Sequence, residues 1–77
     1  MAVKAFILID TSPGKARDVA AKIRGVAGVS VAHAVTGPHD IIAICEAADV
    51  TSLGELIVHK IQSVTGVNRS LTSIVAD

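Results

Sequence analysis

Aromatic side chains are almost missing from this chain: one Phe, no Trp and no Tyr in 77 residues. Without them there is no platform on which nucleic-acid bases could stack. Excess positive charge is missing too. Seven Lys and Arg balance seven Asp and Glu, for a formal net charge of +0. Nucleic-acid binding draws most of its affinity from clustered cations on phosphates, and no such cluster shows. A single cysteine, Cys45, cannot form an intramolecular disulfide and points to a reducing compartment, the cytoplasm. The longest apolar runs, Ala5 to Ile9 and Ile41 to Cys45, fall far short of the roughly 20 residues that cross a bilayer. No basic segment leads into an apolar stretch and a small-residue cleavage site at the N-terminus, so no secretory signal is read there.

What is abundant is aliphatic. Hydrophobic residues make up 51% and charged ones 18%, with a mean hydropathy of +0.61. A disordered chain is poorer in apolar residues than this. A small monomer usually carries about 25–35% charge on its surface, so we expect the surplus apolar surface to meet another subunit. The length fits one domain over residues 1–77.

The pattern predicts four strands and two helices. Ala2 to Asp10 alternates Val3, Ala5, Ile7 and Ile9 with Lys4, Phe6, Leu8 and Asp10. Both sets are apolar in the middle, as in a strand covered on both faces. Ser12 as N-cap and Pro13 as first helical residue predict a helix start. Ala16, Val19, Ala20 and Ile23 then form its inner stripe, and Gly25 or Gly28 ends it. Val29 to Thr36 reads as a strand, Gly37-Pro38-His39-Asp40 as a tight turn, and Asp40 to Glu46 as a third strand. Asp49 caps a second helix with a stripe of Leu53, Ile57, Ile61 and Val64, which Gly66 stops. Val67 to Ala76 is the fourth strand.

The chain also repeats. A shift of about 38 residues lays Lys22, Ile23, Val26, Gly28 and Val29 on Lys60, Ile61, Val64, Gly66 and Val67. The unit is βαβ, used twice. Two such halves predict the ferredoxin-like βαββαβ fold, an α+β architecture with a four-stranded antiparallel sheet. Right-handed crossovers set both helices on one face. The other face, apolar and uncovered, predicts a symmetric dimer.

Signals for catalysis are sparse. The glycines have neither GxGxxG nor GxxxxGK[ST] spacing. Cys45 lies inside an apolar strand and reads as a core residue. His33, His39 and His59 are spread over a strand, a turn and a helix, with no metal-ligand spacing. No cofactor is expected. Asp40 opens the most apolar strand straight after the Gly-Pro turn. Taken alone it reads as a turn residue that caps backbone N–H groups.

The segment Val35-Thr36-Gly37-Pro38-His39-Asp40-Ile41-Ile42 resembles the Gly-x-x-Asp turn of the RAM (regulation of amino acid metabolism) module. That module is the effector-binding domain of the Lrp/AsnC family of transcriptional regulators. Leu53, Ile57 and Ile61 look like its second helix. The run Thr65 to Val75 looks like its closing Gly-Val-x-x-x-x-Thr-x-x-x strand. The similarity spans Val3 to Val75.

This resemblance implies a dimeric α/β sandwich that assembles further and holds amino-acid ligands at subunit interfaces near the turn. It assigns Asp40 to a ligand ammonium, Gly37 to close backbone approach and positive φ, and Pro38 and His39 to the rest of the turn. Thr72, Ser73 and Ile74 fall on closing-strand positions tied to effector response. Two departures shape the expectation. Family members carry an N-terminal helix-turn-helix domain, whereas this sequence starts at the first strand, so no direct DNA binding is expected. His39 stands where the family often has an aromatic residue, which changes the ligand choice or leaves the pocket without a small-molecule ligand.

The leading expectation is a non-catalytic amino-acid-sensing and oligomerisation module, with a full-length Lrp/AsnC regulator as a further partner. Two alternatives stand beside it. One is a small dimeric ferredoxin-like enzyme, an isomerase or cofactor-free monooxygenase with His33 or His59 as base. The other is a ligand-free assembly module.

Overall fold

A computed structural model describes residues 2–77. Strand β1 (Val3–Thr11) is followed by helix α1 (Ala16–Arg24), strands β2 (Val29–Ala34) and β3 (Ile41–Ala47), helix α2 (Val50–Glu55) and strand β4 (Val67–Ile74). A π-helical stretch, Leu56–Ile61, continues α2. The strands form one antiparallel sheet in the order β2-β3-β1-β4. This is the βαββαβ plan read from the repeat.

Strand alternation decides what is buried. Ala5, Ile7 and Ile9 of β1, Ile41, Ala43 and Cys45 of β3, and Ala32 of β2 all point to the helices. They meet Val19, Ala20 and Ile23 of α1 and Leu53, Ile57 and Ile61 of the second helix in one core. Cys45 is fully buried, and burial pushes its thiol above the ordinary cysteine range. That is an inert core position.

The second helical stripe runs at i, i+4 and i+8. In a plain α-helix such positions drift by roughly 80° around the axis. The wider π winding, closed by Gln62 N–H donating to Ile57 O at 3.2 Å, takes more residues per turn and brings Ile61 back to the core. The sequence pattern alone carries no sign of it.

Both helices end in the same corner. Val26 N–H donates to Ile23 O at 3.0 Å and Val29 N–H to Val26 O at 3.1 Å. Val64 N–H donates to Ile61 O at 3.1 Å and Val67 N–H to Val64 O at 3.2 Å. Gly28 (φ +94°) and Gly66 (φ +103°) make the turn into the strand. Each glycine is also pressed by the opposite half of the chain. A Cβ on Gly28 would stand 2.8 Å from Leu56 Cδ2, and one on Gly66 would stand 2.8 Å from Val19 Cγ2. The same carbonyls cross over: Gly28 O accepts from Glu46 N–H at 2.8 Å, and Gly66 O from Ser12 N–H at 2.9 Å.

Several boundaries differ from the sequence reading. Helix α1 does not start at Ser12 and Pro13. Its N-cap is Lys15, without a side-chain cap bond. Ser12 is held instead by Gly66 O, just before β4, and through its hydroxyl, which donates to Asn68 Oδ1 of β4 at 3.2 Å. Strand β2 stops at Ala34, because Val35 N–H turns back to Asp40 O at 2.9 Å and closes the hairpin loop. The second helix ends at Ile61 rather than running to Gly66. Asp49 is the expected N-cap. It accepts from Ser52 N–H at 2.7 Å, and the Ser52 donors hold its carboxyl below the usual range.

The face away from the helices has no cover among the described residues. Its central rows read Val31, Ile44, Phe6, Ser73 and His33, Ile42, Leu8, Leu71 across the four strands. Phe6 is 42% exposed and Leu71 38%. Charged residues bound the patch: Lys4 and Glu46, 3.7 Å apart, at one end, and Asp10 and Arg69, partners across β1 and β4, at the other.

Two outcomes follow from the packing. Gly28→Ala and Gly66→Ala should each destabilise the fold by about 1–3 kcal/mol, from left-handed strain plus crowding. Gly54→Ala, inside α2 with nothing within 4 Å of the new Cβ, should instead raise stability by about 0.5–1 kcal/mol. Urea unfolding of the three variants checks both signs. Separately, Cys45 should resist a thiol reagent in the native protein and react once the chain is denatured.

Candidate functional site

The turn between β2 and β3 is built on Asp40. Its N–H donates to Ile9 O at 3.0 Å, and its C=O accepts from Val35 N–H at 2.9 Å. Its carboxylate does a third job: Oδ2 accepts from Thr11 N–H at 2.8 Å, with the Thr11 hydroxyl at 3.4 Å. The β1–β4 register shifts between Asp10 and Thr11. Thr11 N–H itself points to the other edge, toward β3, one step past the last β1–β3 pair, Ile9 with Ile41, where no ladder carbonyl meets it and Asp40 receives it. Thr11 is buried, so an unpaired N–H there would be expensive. The side chain thus caps a backbone N–H of β1, 29 residues away, where the local reading expects a cap within its own turn. Among the described residues no donor reaches the other oxygen, Oδ1.

The neighbouring residues complete an ionic corner. His39 Nδ1 donates to Asp10 Oδ1 at 2.9 Å, with both side chains roughly one-third exposed or less. An ionised carboxylate only accepts, so the contact sets a proton on Nδ1. Read locally, Asp10 lies near a helix start. The structure places it in the last row of the open face, because α1 begins later, at Ala16. Sequence reasoning misses the partnership of Asp10 with His39, and of Thr11 with Asp40. The signal that could have found them is register: Ile9 pairs with Ile41, and one more step brings Asp10 beside Asp40. Gly37 is exposed, is not among the residues with positive φ, and would have nothing within 4 Å of an added Cβ. The expectation that it needs positive φ is therefore corrected. The loop is long enough to turn without it. Pro38 is exposed beside it.

The closing-strand residues do not join this turn within one chain. Thr72 pairs with Ile7 and Ile74 with Ala5, on the helix side, while Ser73 pairs with Phe6 on the open side. Ile74 thus lies four strand residues from the Ile9 level, about 13 Å along the sheet. It borders a shallow groove of about 360 Å³ with Val3, Lys4, Val50 and Val75. A second groove, about 280 Å³, is lined by Gln62, Val67, Asn68, Arg69 and Ser70. Neither includes residues 37–40. The three histidines are likewise apart: His33 is exposed on the open face, His59 is exposed on the π stretch, and His39 is at the turn. No group of three or more His, Cys, Asp or Glu among the described residues is placed to hold a metal ion. No helix among them is long and apolar enough to cross a membrane.

Comparison with known proteins places this arrangement. The chain is 35% identical over 72 residues to an uncharacterized HTH-type transcriptional regulator of Pyrococcus abyssi, covering 94% of this chain and 46% of that protein. It is 30% identical over 73 residues to another from Pyrococcus furiosus, covering 91% and 49%. The chain thus spans about half the length of the curated relatives it matches. Among solved structures, TTHA0845 from Thermus thermophilus superposes with a TM-score of 0.91 at 28% identity, covering 97% of this chain and 94% of that one. AsnC of E. coli gives 0.90 at 25%, covering 97% and 51%. The regulator NMB0573 of Neisseria meningitidis, solved as an L-Met complex, gives 0.85 at 25%, covering 97% and 50%. Residues 4–77 match the Lrp/AsnC ligand binding domain, and the chain belongs to that family.

Proposed function

We propose that this chain is a non-catalytic effector-sensing and association module. Two copies pack their open sheet faces together, and an amino acid is held where the Gly37–Asp40 turn meets a neighbouring copy. The observation that carries the reading is Asp40. Its backbone and Oδ2 are fixed by Ile9, Thr11 and Val35, while Oδ1 has no donor among the described residues. An immobilised carboxylate oxygen beside an apolar face suits a ligand ammonium next to an aliphatic side chain. The L-Met complex of the meningococcal relative supports the amino-acid class. Because Thr72, Ser73 and Ile74 lie away from the turn in one chain, their part in the site requires residues from two copies. A full-length regulator of the family, acting in the cytoplasm, would offer the same surface to pair with. The dispersed, surface-placed histidines favour this reading over an enzyme, which needs two convergent polar groups in a cleft.

The pairing of Asp40 with Thr11 favours a second reading, an assembly module without ligand in which the carboxylate only closes the sheet. Paired substitutions separate the two. Asp40→Ala removes both roles and should lower the melting temperature. Asp40→Asn keeps an acceptor for Thr11 N–H and loses the charge. If an ammonium binds there, a charge-assisted hydrogen bond is lost, about 1.5–3 kcal/mol. Affinity in calorimetric titration should then fall roughly ten- to a hundredfold, with the melting temperature close to that of the parent. The ligand for this test comes from a thermal-shift screen of the common amino acids at millimolar concentration. A flat screen would favour the assembly reading.

The interface has its own test. Soluble monomers rarely expose apolar patches of this kind, so light scattering should give a dimer or larger species. Phe6→Glu, set in the centre of the patch, should shift it to monomer while circular dichroism stays unchanged. A monomer at all concentrations in the parent chain would remove the interface.

A further inference from the structure

The open face holds one titratable group inside its apolar field. His33 stands opposite Ile42 on β3, with Leu8 and Leu71 continuing the row. Val31, two residues before it on β2, and Val35, just past the end of that strand, are exposed apolar neighbours. No hydrogen bond or ion pair engages the imidazole among the described residues.

The charged groups that face it are few. From β3 the same face carries Asp40, which is bonded to Thr11, and Glu46, which is paired with Lys4 of β1. From β1 it also carries Asp10, bonded to His39 of the turn, and β4 adds Arg69. All of these stand in the two end rows, outside the two central ones. Helix α1 packs behind β2, and its Arg24 is held by Ala32 O at 2.8 Å. A second copy would bring the same set. The two central rows themselves hold no carboxylate: the nearest, Asp40, stands one row away on β3 with its Oδ2 on Thr11, and a second copy closing over the edge strand β2 would take water from the imidazole.

We propose that His33 makes association of this chain pH-dependent: the neutral imidazole is accepted in the seam between two copies, and its protonation opposes their closure. This rests on the open-face dimer proposed above. The sign follows from linkage. The separated copies take up a proton on each imidazole as pH falls, and the closed pair excludes it, so the dimer is favoured at higher pH and weakened at lower pH. Imidazoles ordinarily change charge between pH 5 and 8. Two excluded protons per dimer permit up to about a hundredfold weakening per pH unit.

The test is sedimentation equilibrium of the full chain at pH 7.5 and 5.5, for the parent, His33→Gln, His33→Leu and His39→Gln. The dimer dissociation constant of the parent should rise by about tenfold or more at the lower pH. His33→Gln and His33→Leu, which cannot gain a proton, should change by less than about twofold. His39→Gln should behave as the parent, which separates the seam from the ionic corner. A parent that stays monomeric at pH 7.5 overturns the open-face dimer itself. A dimer whose constant is unchanged by pH, strengthens at pH 5.5, or shifts equally in both His33 variants leaves the dimer standing and overturns the role of His33.

Discussion

The chain supplies helices for one face of a sheet whose central strands are apolar on both. β1 and β3 sit in the middle of the order β2-β3-β1-β4, and each alternates aliphatic residues to either side. Ala5, Ile7 and Ile9 go to the helices and are fully buried, while Phe6 and Leu8 go to the face without them. A central strand of an antiparallel sheet can present a polar second face to water, and β1 and β3 do not, so the imbalance is written in the covalent sequence. Everything proposed about association and ligand binding descends from it.

Placing the charges follows the same logic. Lys4 with Glu46 and Asp10 with Arg69 are two strand steps beyond the apolar rows. This is the arrangement of an interface with an apolar centre and a polar rim. The Gly37–Asp40 turn occupies part of that rim. A ligand held there would touch both the rigid carboxylate of one copy and whatever closes over the face, so that its affinity would depend on assembly.

Much of the fold was legible in the sequence because its signals were periodic. The alternation in β1, the stripe of Val19, Ala20 and Ile23, and the doubled Ile-Val-Gly-Val corner all reported burial directly, and the topology followed from the repeat. The misplaced features depend on partners distant in sequence. Ser12 looked like a helix cap because its neighbours Pro13 and Gly14 are local signals. What decides its role is Gly66 and Asn68, 54 and 56 residues away. The π stretch answers to the core it must fill, which propensity does not encode. At the turn, the family likeness pointed to Asp40, but its bond to Thr11 and the His39–Asp10 contact required knowing the β1–β3 register. The separation of residues 72–74 from the turn is likewise a matter of strand pairing that no single-strand pattern reveals.

The two glycine corners bind the halves of the chain reciprocally. Gly28 of the first half is packed by Leu56 and bonded by Glu46, both in the second; Gly66 of the second is packed by Val19 and bonded by Ser12, both in the first. Neither βαβ half can therefore finish its own helix-to-strand corner in isolation. The repeat looks divisible on paper, yet each half borrows its corner from the other, which couples their ordering and favours one cooperative transition over the successive loss of two similar units.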